Sequence, residues 1–304
     1  MNTIARPVLL ALACATSLPA LGNDKLEEII VTSSRVEMPL RQIGTSVSVL
    51  TRADIEQRGF TNLAEVLRYA PAISVTNTGG QGKATSLRIR GEQGFRTKVL
   101  MDGIDITDVS RPQAAPSFEH LMSAGIERVE ILRGPQGLMY GADAGGVVSI
   151  TTLRPDSNFG GGVSAEVGRY GTQQLGAHIG GDNGVFDYGL FGNAYETDGF
   201  NSRTTDTDPG DDDGYENNTL HGRIGWQISE DWRTEIVGHA VDGDNEYDDC
   251  FTVDTFAPTN RCSDDLTQDS WRGLVEQRGE RFSNLLAYSQ SKIEREFFSE
   301  GKTS

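Results

Sequence analysis

From residue 160 to the end of the chain, apolar and polar residues alternate with a period of two. This period predicts β-strands, because successive side chains of a strand point to opposite faces. Roughly seven strands can be distinguished, and the last two, near residues 271–276 and 282–297, are weaker. The clearest apolar positions are Val163, Ala165, Val167, Leu175, Ala177, Ile179, Phe186, Tyr188, Leu190, Leu220, Ile224, Trp226, Ile228, Trp232 and Ile236.

The connections between these predicted strands are either short or long. The short connections are 169–171, 180–184, 229–231 and 277–281, and the long, acidic ones are 196–218 and 242–269. Outer-membrane β-barrels have short periplasmic turns and longer outer loops. A soluble β-sandwich would show similar strands. It would not require the polar face to carry side chains that suit a water-filled lumen, namely Arg223, Arg233, Glu235, His221 and His239.

Residues 39–155 alternate between strand and helix signals instead. Thr51 is a helix cap with Asp54 in the first turn, and Gly59 ends this helix. Asn62 begins a second helix, which Pro71 stops. Short β-forming segments lie at 46–50, 87–91, 98–103, 126–133 and 147–152. The segment is long enough for one core, so an α+β domain is predicted here.

The first 22 residues have the features of a secretory signal. Arg6 and the amino terminus supply positive charge, and an apolar run follows from residue 8 to residue 18. Small residues at positions 20 and 22 predict cleavage after Gly22. Cys14 leaves a lipoprotein signal as the alternative, although the residue three positions before it is Ala11 rather than leucine.

Residues 23–38 form a short arm of mixed charge between the signal and the α+β domain. The arm contains a compact β-forming patch at residues 28–32. One interpretation is that this patch is the first strand of the following domain. The other is that it adds as a strand to the sheet of a partner protein.

The net charge of −17 is confined to the second half of the chain. Residues 156–304 contain 29 Asp and Glu against 11 Lys and Arg. Nucleic-acid binding is not expected, because phosphate requires a basic face, whereas acidic loops could hold cations. The sequence also contains no nucleophile–base motif, phosphate loop or zinc-ligand spacing, so an enzyme is not expected.

Two cysteines, Cys250 and Cys262, remain once the signal with Cys14 is removed. An exported protein enters an oxidising compartment, so an even pair this close in sequence predicts a disulfide. Two unpaired thiols are the alternative.

Several ordered motifs between residues 25 and 155 resemble those of TonB-dependent outer-membrane receptors. The matching stretches are 28–32, 47–75, 89–91 (Ile-Arg-Gly), 101–103 (Met-Asp-Gly), 126–135 and 140–150. The resemblance implies an α+β plug domain (39–155) lodged in an antiparallel transmembrane β-barrel of about 22 strands, of which residues 156–304 would be an incomplete part. It also implies export to the outer membrane of a Gram-negative cell and outer-membrane lipid around the barrel.

The same resemblance assigns roles to particular residues. The resemblance identifies the patch at 28–32 as the TonB box, the segment that TonB would bind to transmit energy. Its residues are Glu28, Ile29, Ile30, Val31 and Thr32. Arg90 and Arg133 correspond to arginines that pair with barrel glutamates and lock the plug to the barrel. The alternative for Arg90 is a solvated charge at the end of a strand.

Among the subfamilies, the chain resembles the cobalamin receptors through its two acidic loops. Asp211, Asp213 and Asp242 resemble their calcium-binding aspartates, and calcium is bound by several carboxylate and carbonyl oxygens. Asn201 stands where a further loop aspartate is expected. A soluble, self-repelling acidic loop is the alternative. Apart from a structural calcium ion, no cofactor is expected.

Two other functions compete with cobalamin uptake. A ferric-siderophore receptor would share every plug motif. A surface-adhesion or structural barrel would need only the long outer loops, but it would need neither the TonB box nor the plug. The chain is expected to be a fragment that does not transport by itself, because the open edge of a partial barrel cannot face lipid and its last residues lack an aromatic finish.

Overall fold

The structure is a computed structural model of the chain. It describes residues 30–31, 38–39, 44, 46–110, 113–135, 140, 145–155, 157–203, 205, 211–279, 281–300 and 302–303. The predicted signal at 1–22 and most of the arm at 23–38 lie outside these residues.

The described residues of the first part of the chain form eleven strands and two helices. The strands are β1 (Ile30–Val31), β2 (Met38–Pro39), β3 (Ser46–Thr51), β4 (Ile73–Asn77), β5 (Thr85–Ile89), β6 (Thr97–Met101), β7 (Ile104–Asp105), β8 (Thr107–Asp108), β9 (Ala115–Pro116), β10 (Ile126–Arg133) and β11 (Gly146–Thr152). The helices are α1 (Arg52–Arg58) and α2 (Leu63–Leu67), and 3-10 turns lie at Gly94–Arg96 and Phe118–His120.

The predicted helix caps are confirmed. The Thr51 side chain accepts a hydrogen bond from the Asp54 amide, and the Asp54 carboxylate accepts one from the Thr51 amide, so the two form a capping box. Gly59 ends α1 in the left-handed region at φ 65°, where glycine carries no steric cost. The Asn62 side chain caps α2 by accepting from the Ala64 amide.

These elements surround one mixed sheet with the order β3-β10-β11-β6-β7. Strand β11 runs parallel to β6, and the other neighbours are antiparallel. Ile55 of α1 and Leu63 and Leu67 of α2 share one buried apolar cluster with Ile131 and Val148 of this sheet. The result is the α+β domain predicted from the sequence, and it is called the plug below.

The second part of the chain forms an antiparallel sheet of eight strands, called the wall below. Its strands are β12 (Gly160–Val167), β13 (Gln173–Asp182), β14 (Phe186–Thr197), β15 (Tyr215–Gln227), β16 (Trp232–Tyr247), β19 (Cys262–Arg278), β20 (Ser283–Ser299) and β21 (Lys302–Thr303). A small hairpin of β17 (Cys250–Phe251) and β18 (Pro258–Thr259) lies in the loop between β16 and β19. The strands pair in sequence order, so β12 and β21 are the two edges of the described sheet.

The two faces of the wall differ in the way that the alternation predicts. Apolar residues such as Val163 (85% exposed) and Ile236 (61% exposed) cover the face turned away from the plug. The opposite face is polar and buried against the plug, and it includes His221, Arg223 and His239. Among the described residues, no helix has the length and apolar character needed to cross a membrane.

The wall strands are longer than predicted at the end that carries the long loops. Strand β15 begins at Tyr215, β16 continues to Tyr247, and β19 begins at Cys262, so much of the predicted loops at 196–218 and 242–269 is strand. The backbone ladder continues beyond the apolar band, where both faces carry polar residues and the hydrophobic signal disappears.

Candidate functional site at the interface of plug and wall

The Met-Asp-Gly turn of the plug, which joins β6 to β7, is fixed by hydrogen bonds inside the plug. Asp102 and Gly103 both have positive φ, at 47° and 79°. The Asp102 carboxylate accepts from the Thr152 amide at 3.1 Å and from the Thr152 hydroxyl at 2.6 Å. Because Thr152 ends β11, these bonds tie the turn to the central sheet of the plug.

Two wall strands contact this turn, and a third contacts one of them through its side chain. Nε2 of His239, on β16, lies 3.2 Å from Oδ2 of Asp102, and Nδ1 of His239 lies 2.8 Å from Nδ1 of His221, on β15. Arg272, on β19, donates to the Asp102 backbone carbonyl at 2.9 Å. A Cβ at Gly103 would lie 2.6 Å from Nη1 of Arg272, so glycine permits this close approach. These four side chains, Asp102, His221, His239 and Arg272, are called the Asp102 anchor.

Charge and hydrogen bonding together favour the ionised form of Asp102. Burial raises the pKa of this carboxyl, but the His239 contact, the Arg223 charge and the Thr152 hydroxyl outweigh burial. The pKa of Asp102 therefore lies well below its usual range. The His239 contact is within ion-pair distance, although Nε2 lacks the alignment of a hydrogen bond.

An ion network lies on the wall beside the anchor. Glu235 is 3.0 Å from Arg223, 3.2 Å from Arg233 and 3.7 Å from Arg154, and Arg233 also contacts Asp187 at 2.6 Å. Arg223 and Arg154 line a cavity of about 210 Å³ between the plug and the strands β12 to β15. The polar side chains that the sequence assigned to a wet lumen therefore face the plug.

The two arginines predicted to lock the plug lie side by side in the plug. Arg133 donates from Nε to the Pro71 carbonyl at 2.7 Å and from its terminal nitrogens to the hydroxyls of Ser46 and Ser48. Burial and the neighbouring Arg90 lower the pKa of Arg133. Within the described part of the chain, the hydrogen bonds of Arg133 go to plug residues, and its pairing with a barrel glutamate stays a prediction.

The predicted TonB box is described only at Ile30 and Val31. These residues form β1 and pair with β2 of the same chain, Ile30 opposite Pro39. Glu28, Ile29 and Thr32 lie outside the described residues. A partner strand would therefore replace an intramolecular pairing of two residues.

The structure does not bring the three predicted calcium ligands to one face. Asp213 is buried on the plug side, where its carboxylate accepts from the amide and the hydroxyl of Ser202. Asp242 is exposed, and it lies opposite Asn218 in the register of β15 and β16. Successive residues of a strand point to opposite faces, so Asp242 faces away from Asp213. Among the described residues no group of three or more acidic, histidine or cysteine side chains could hold a metal ion. Asp213 and Asp242 are therefore on opposite faces, and a calcium site formed by Asp211, Asp213 and Asp242 stays a prediction.

Cys250 and Cys262 are joined by a disulfide in the structure, with their Cα atoms 6.1 Å apart. The bond closes the loop that carries the β17–β18 hairpin. It ties the loop to the start of β19.

Sequence reasoning missed the side chains that join plug and wall. Asp102 lies in a matched motif but has no role predicted from the sequence. Neither has Arg272, nor Arg295 on β20, which donates to Glu119 of the plug. The available signal was the period-two alternation itself, because both arginines stand at positions that face the plug. The contact partners depend on how the two domains dock, which no local pattern encodes.

Comparison with known proteins agrees with this architecture. Residues 39–148 match the family model of the TonB-dependent receptor plug domain. Solved structures with the same fold include the siderophore receptor PirA from Acinetobacter baumannii (TM-score 0.67, 21% identity, 85% of this chain and 42% of that chain). They also include the alcaligin outer-membrane receptor FauA from Bordetella pertussis (TM-score 0.69, 19% identity, 88% and 42%).

The chain therefore belongs to the TonB-dependent receptors, as its motifs predicted. Within this class, it is 31% identical over 247 residues to the vitamin B12 transporter BtuB of Photobacterium profundum, covering 80% of this chain and 40% of the relative. It is 30% identical over 296 residues to the vitamin B12 transporter BtuB of Vibrio vulnificus, covering 94% and 46%. The chain thus spans less than half the length of these relatives.

Proposed function

We propose that this protein is a receptor for the energy-coupled uptake of cobalamin across the outer membrane. The observation that carries the proposal is that the similarity to vitamin B12 transporters extends through both the plug and the wall, over 80% and 94% of the chain. The plug alone would support only the receptor class. The wall lies within the same alignment, and the long loops connect its strands.

The geometry suits such a role. The plug fills the polar face of the wall and is held there by the Asp102 anchor, while the opposite face is apolar enough to contact lipid. The arm with Ile30 and Val31 precedes the plug and forms only a two-residue pairing with its own chain. TonB would take over this strand edge through backbone hydrogen bonds and pull on the plug.

A ferric siderophore is the competing ligand, because receptors for siderophores share this fold. Binding of labelled cyanocobalamin to outer membranes that contain the protein distinguishes the two. We expect saturable binding that unlabelled cobalamin displaces and that ferric enterobactin and ferric alcaligin do not. Saturable binding of a labelled ferric siderophore, with no cobalamin binding, would assign the receptor to iron uptake. Membranes without the protein provide the control.

A further inference from the structure

A second buried polar network joins the plug to the wall near the long loops, apart from the Asp102 anchor. It consists of Lys83 and Glu119 from the plug and of Asn245, Asp264 and Arg295 from the wall, and it is called the plug clasp. All five side chains are almost fully buried: Lys83 is 3% exposed, and Glu119 and Arg295 are 2% exposed. The cluster contains two cations and two carboxylates, and the carboxylates of Asp213 and Glu246 also lie near Lys83.

The contacts of the plug clasp form a continuous chain from one plug segment to another through the wall. Nζ of Lys83 donates to Oδ1 of Asn245 at 2.9 Å, and Nδ2 of Asn245 donates to Oδ1 of Asp264 at 2.8 Å. Nε of Arg295 lies 3.3 Å from Oδ2 of Asp264, and Nη2 of Arg295 donates to Oε1 of Glu119 at 3.2 Å. The chain passes through β16, β19 and β20.

His120 extends the clasp to a fourth wall strand. Nη2 of Arg295 lies 3.0 Å from Nε2 of His120, and Nδ1 of His120 lies 3.1 Å from the hydroxyl of Tyr215 on β15. Arg295 can only donate, so Nε2 accepts and Nδ1 carries the proton. Nδ1 then donates to the Tyr215 hydroxyl, which in turn donates to the Glu119 carbonyl at 3.3 Å.

The plug end of the clasp is attached firmly to the plug core. Phe118, next to Glu119, belongs to the buried core of the plug. The side chain of Asn62, which caps α2, donates to the carbonyls of Phe118 and Glu119. The Leu63 amide donates to the Leu121 carbonyl at 2.9 Å. Hydrogen bonds and apolar packing therefore tie Glu119 to the core of the plug.

We propose that the plug clasp keeps the plug seated in the wall between transport events and must open before the plug can move. The proposal rests on the proposed function. Arg295 is the positioning residue at its centre, because it is the cation shared by Glu119 of the plug and Asp264 of the wall. Removing one partner of a buried ion pair leaves an uncompensated charge, which favours separation of plug and wall.

The test measures passage through the receptor in the absence of TonB. Cells that lack TonB and produce the full-length receptor are exposed to vancomycin, which is too large for general porins. We expect Arg295→Gln and Glu119→Gln each to lower the inhibitory concentration about tenfold or more, after normalisation to receptor abundance in the outer membrane. Arg295→Lys, which keeps the charge, should be intermediate. The double variant should leak no more than the more affected single variant, because both substitutions remove the same contact between Arg295 and Glu119.

Lys292→Gln is the matched control. Lys292 lies on the same strand as Arg295, but its side chain is 63% exposed on the outer face and pairs with Glu294. This variant should behave as wild type. Cyanocobalamin binding at the cell surface should persist in every variant, and its absence from wild type would refute the proposed function and not the clasp. If Arg295→Gln and Glu119→Gln reach the membrane and exclude vancomycin as wild type does, the clasp proposal is wrong.

Discussion

Asp102 in the plug and His239 in the wall meet with 3.2 Å between Oδ2 and Nε2, and both side chains are 3% exposed. One carboxylate thus accepts two hydrogen bonds from the plug, through Thr152, and faces an imidazole of the wall. The left-handed turn at Asp102 and Gly103 belongs to the plug, and it is also a point at which the plug contacts the wall. This carboxylate therefore contacts both the plug and the wall.

Replacing Asp102 with asparagine tests this relationship. The variant loses the charge that faces His239 and Arg223, and we expect the plug to be destabilised by roughly 3 kcal/mol near neutral pH. Denaturant unfolding of the detergent-solubilised receptor, followed by hydrogen exchange in β6 and β11, measures the change. Asp231→Asn, in an exposed turn of the wall, provides the matched control.

The lowered pKa of the Asp102 carboxyl predicts that the stability of the folded state falls in acid. The pKa of Asp102 is below its unfolded value of 3.8, so its stabilising effect is complete above that value and is lost as the pH falls below it. Wild type should therefore lose more stability than Asp102→Asn between pH 4 and the onset of acid unfolding. Equal losses in the two proteins would show that Asp102 is not responsible.

The pKa of Lys83 predicts that the stability of the folded state changes with pH in the alkaline range. Burial lowers the pKa of Lys83 to about 8, although carboxylates such as Asp213 and Glu246 raise it. The unfolded chain then binds more protons than the folded one between pH 8 and 10.5, so this group makes the folded state more stable as the pH rises through that window. The unfolding temperature should rise less from pH 8 to pH 10 in Lys83→Met than in wild type. Lys292→Met should keep the wild-type gain.

Gly243 on β16 allows the plug to approach the wall. A Cβ at this position would lie 2.4 Å from Nδ1 of His120. We expect Gly243→Ala to displace the Phe118–His120 turn and to cost about 1–3 kcal/mol. Gly238→Ala is the control on the same strand, because its nearest atom is 3.8 Å away. Protection of the Leu121 amide from hydrogen exchange reports the displacement, and unchanged protection in Gly243→Ala would contradict it.

The disulfide between Cys250 and Cys262 closes a loop with a sequence separation of 12. In the chain-entropy description, a bond of this span stabilises the folded state by roughly 3 kcal/mol. Mass spectrometry of unreduced protein from outer membranes should find one Cys250–Cys262 crosslink and no alkylated thiol. The Cys250→Ser/Cys262→Ser double variant should be cleaved faster in this loop by added protease than wild type. Two alkylated thiols in wild type would contradict the pairing.

Local patterns predicted the helix caps, the faces of the wall strands and the plug itself. Thr51, Gly59 and Asn62 act through neighbours within four positions, so their roles can be inferred from the sequence. The alternation around His239 likewise placed it on the inner face, because a period of two needs no tertiary information.

The contacts between the domains were beyond sequence reasoning. Glu119 and Arg295 are 176 positions apart, and nothing in either neighbourhood indicates the other. The calcium prediction also depends on the tertiary structure. It treated Asp242 as a loop residue near Asp213, whereas β16 extends past Asp242 and turns its side chain to the other face.

Energy-dependent accumulation of labelled cobalamin by cells that produce the full-length receptor tests the central claim most directly. The account predicts accumulation that requires TonB. Ile30→Pro should abolish it while surface binding persists, because proline removes a backbone donor and fixes φ in the strand that would pair with TonB. Ile30→Val, which keeps the donor and the β-branched side chain, should accumulate cobalamin as wild type does. Full accumulation by Ile30→Pro, or accumulation of a ferric siderophore in place of cobalamin, would contradict the account.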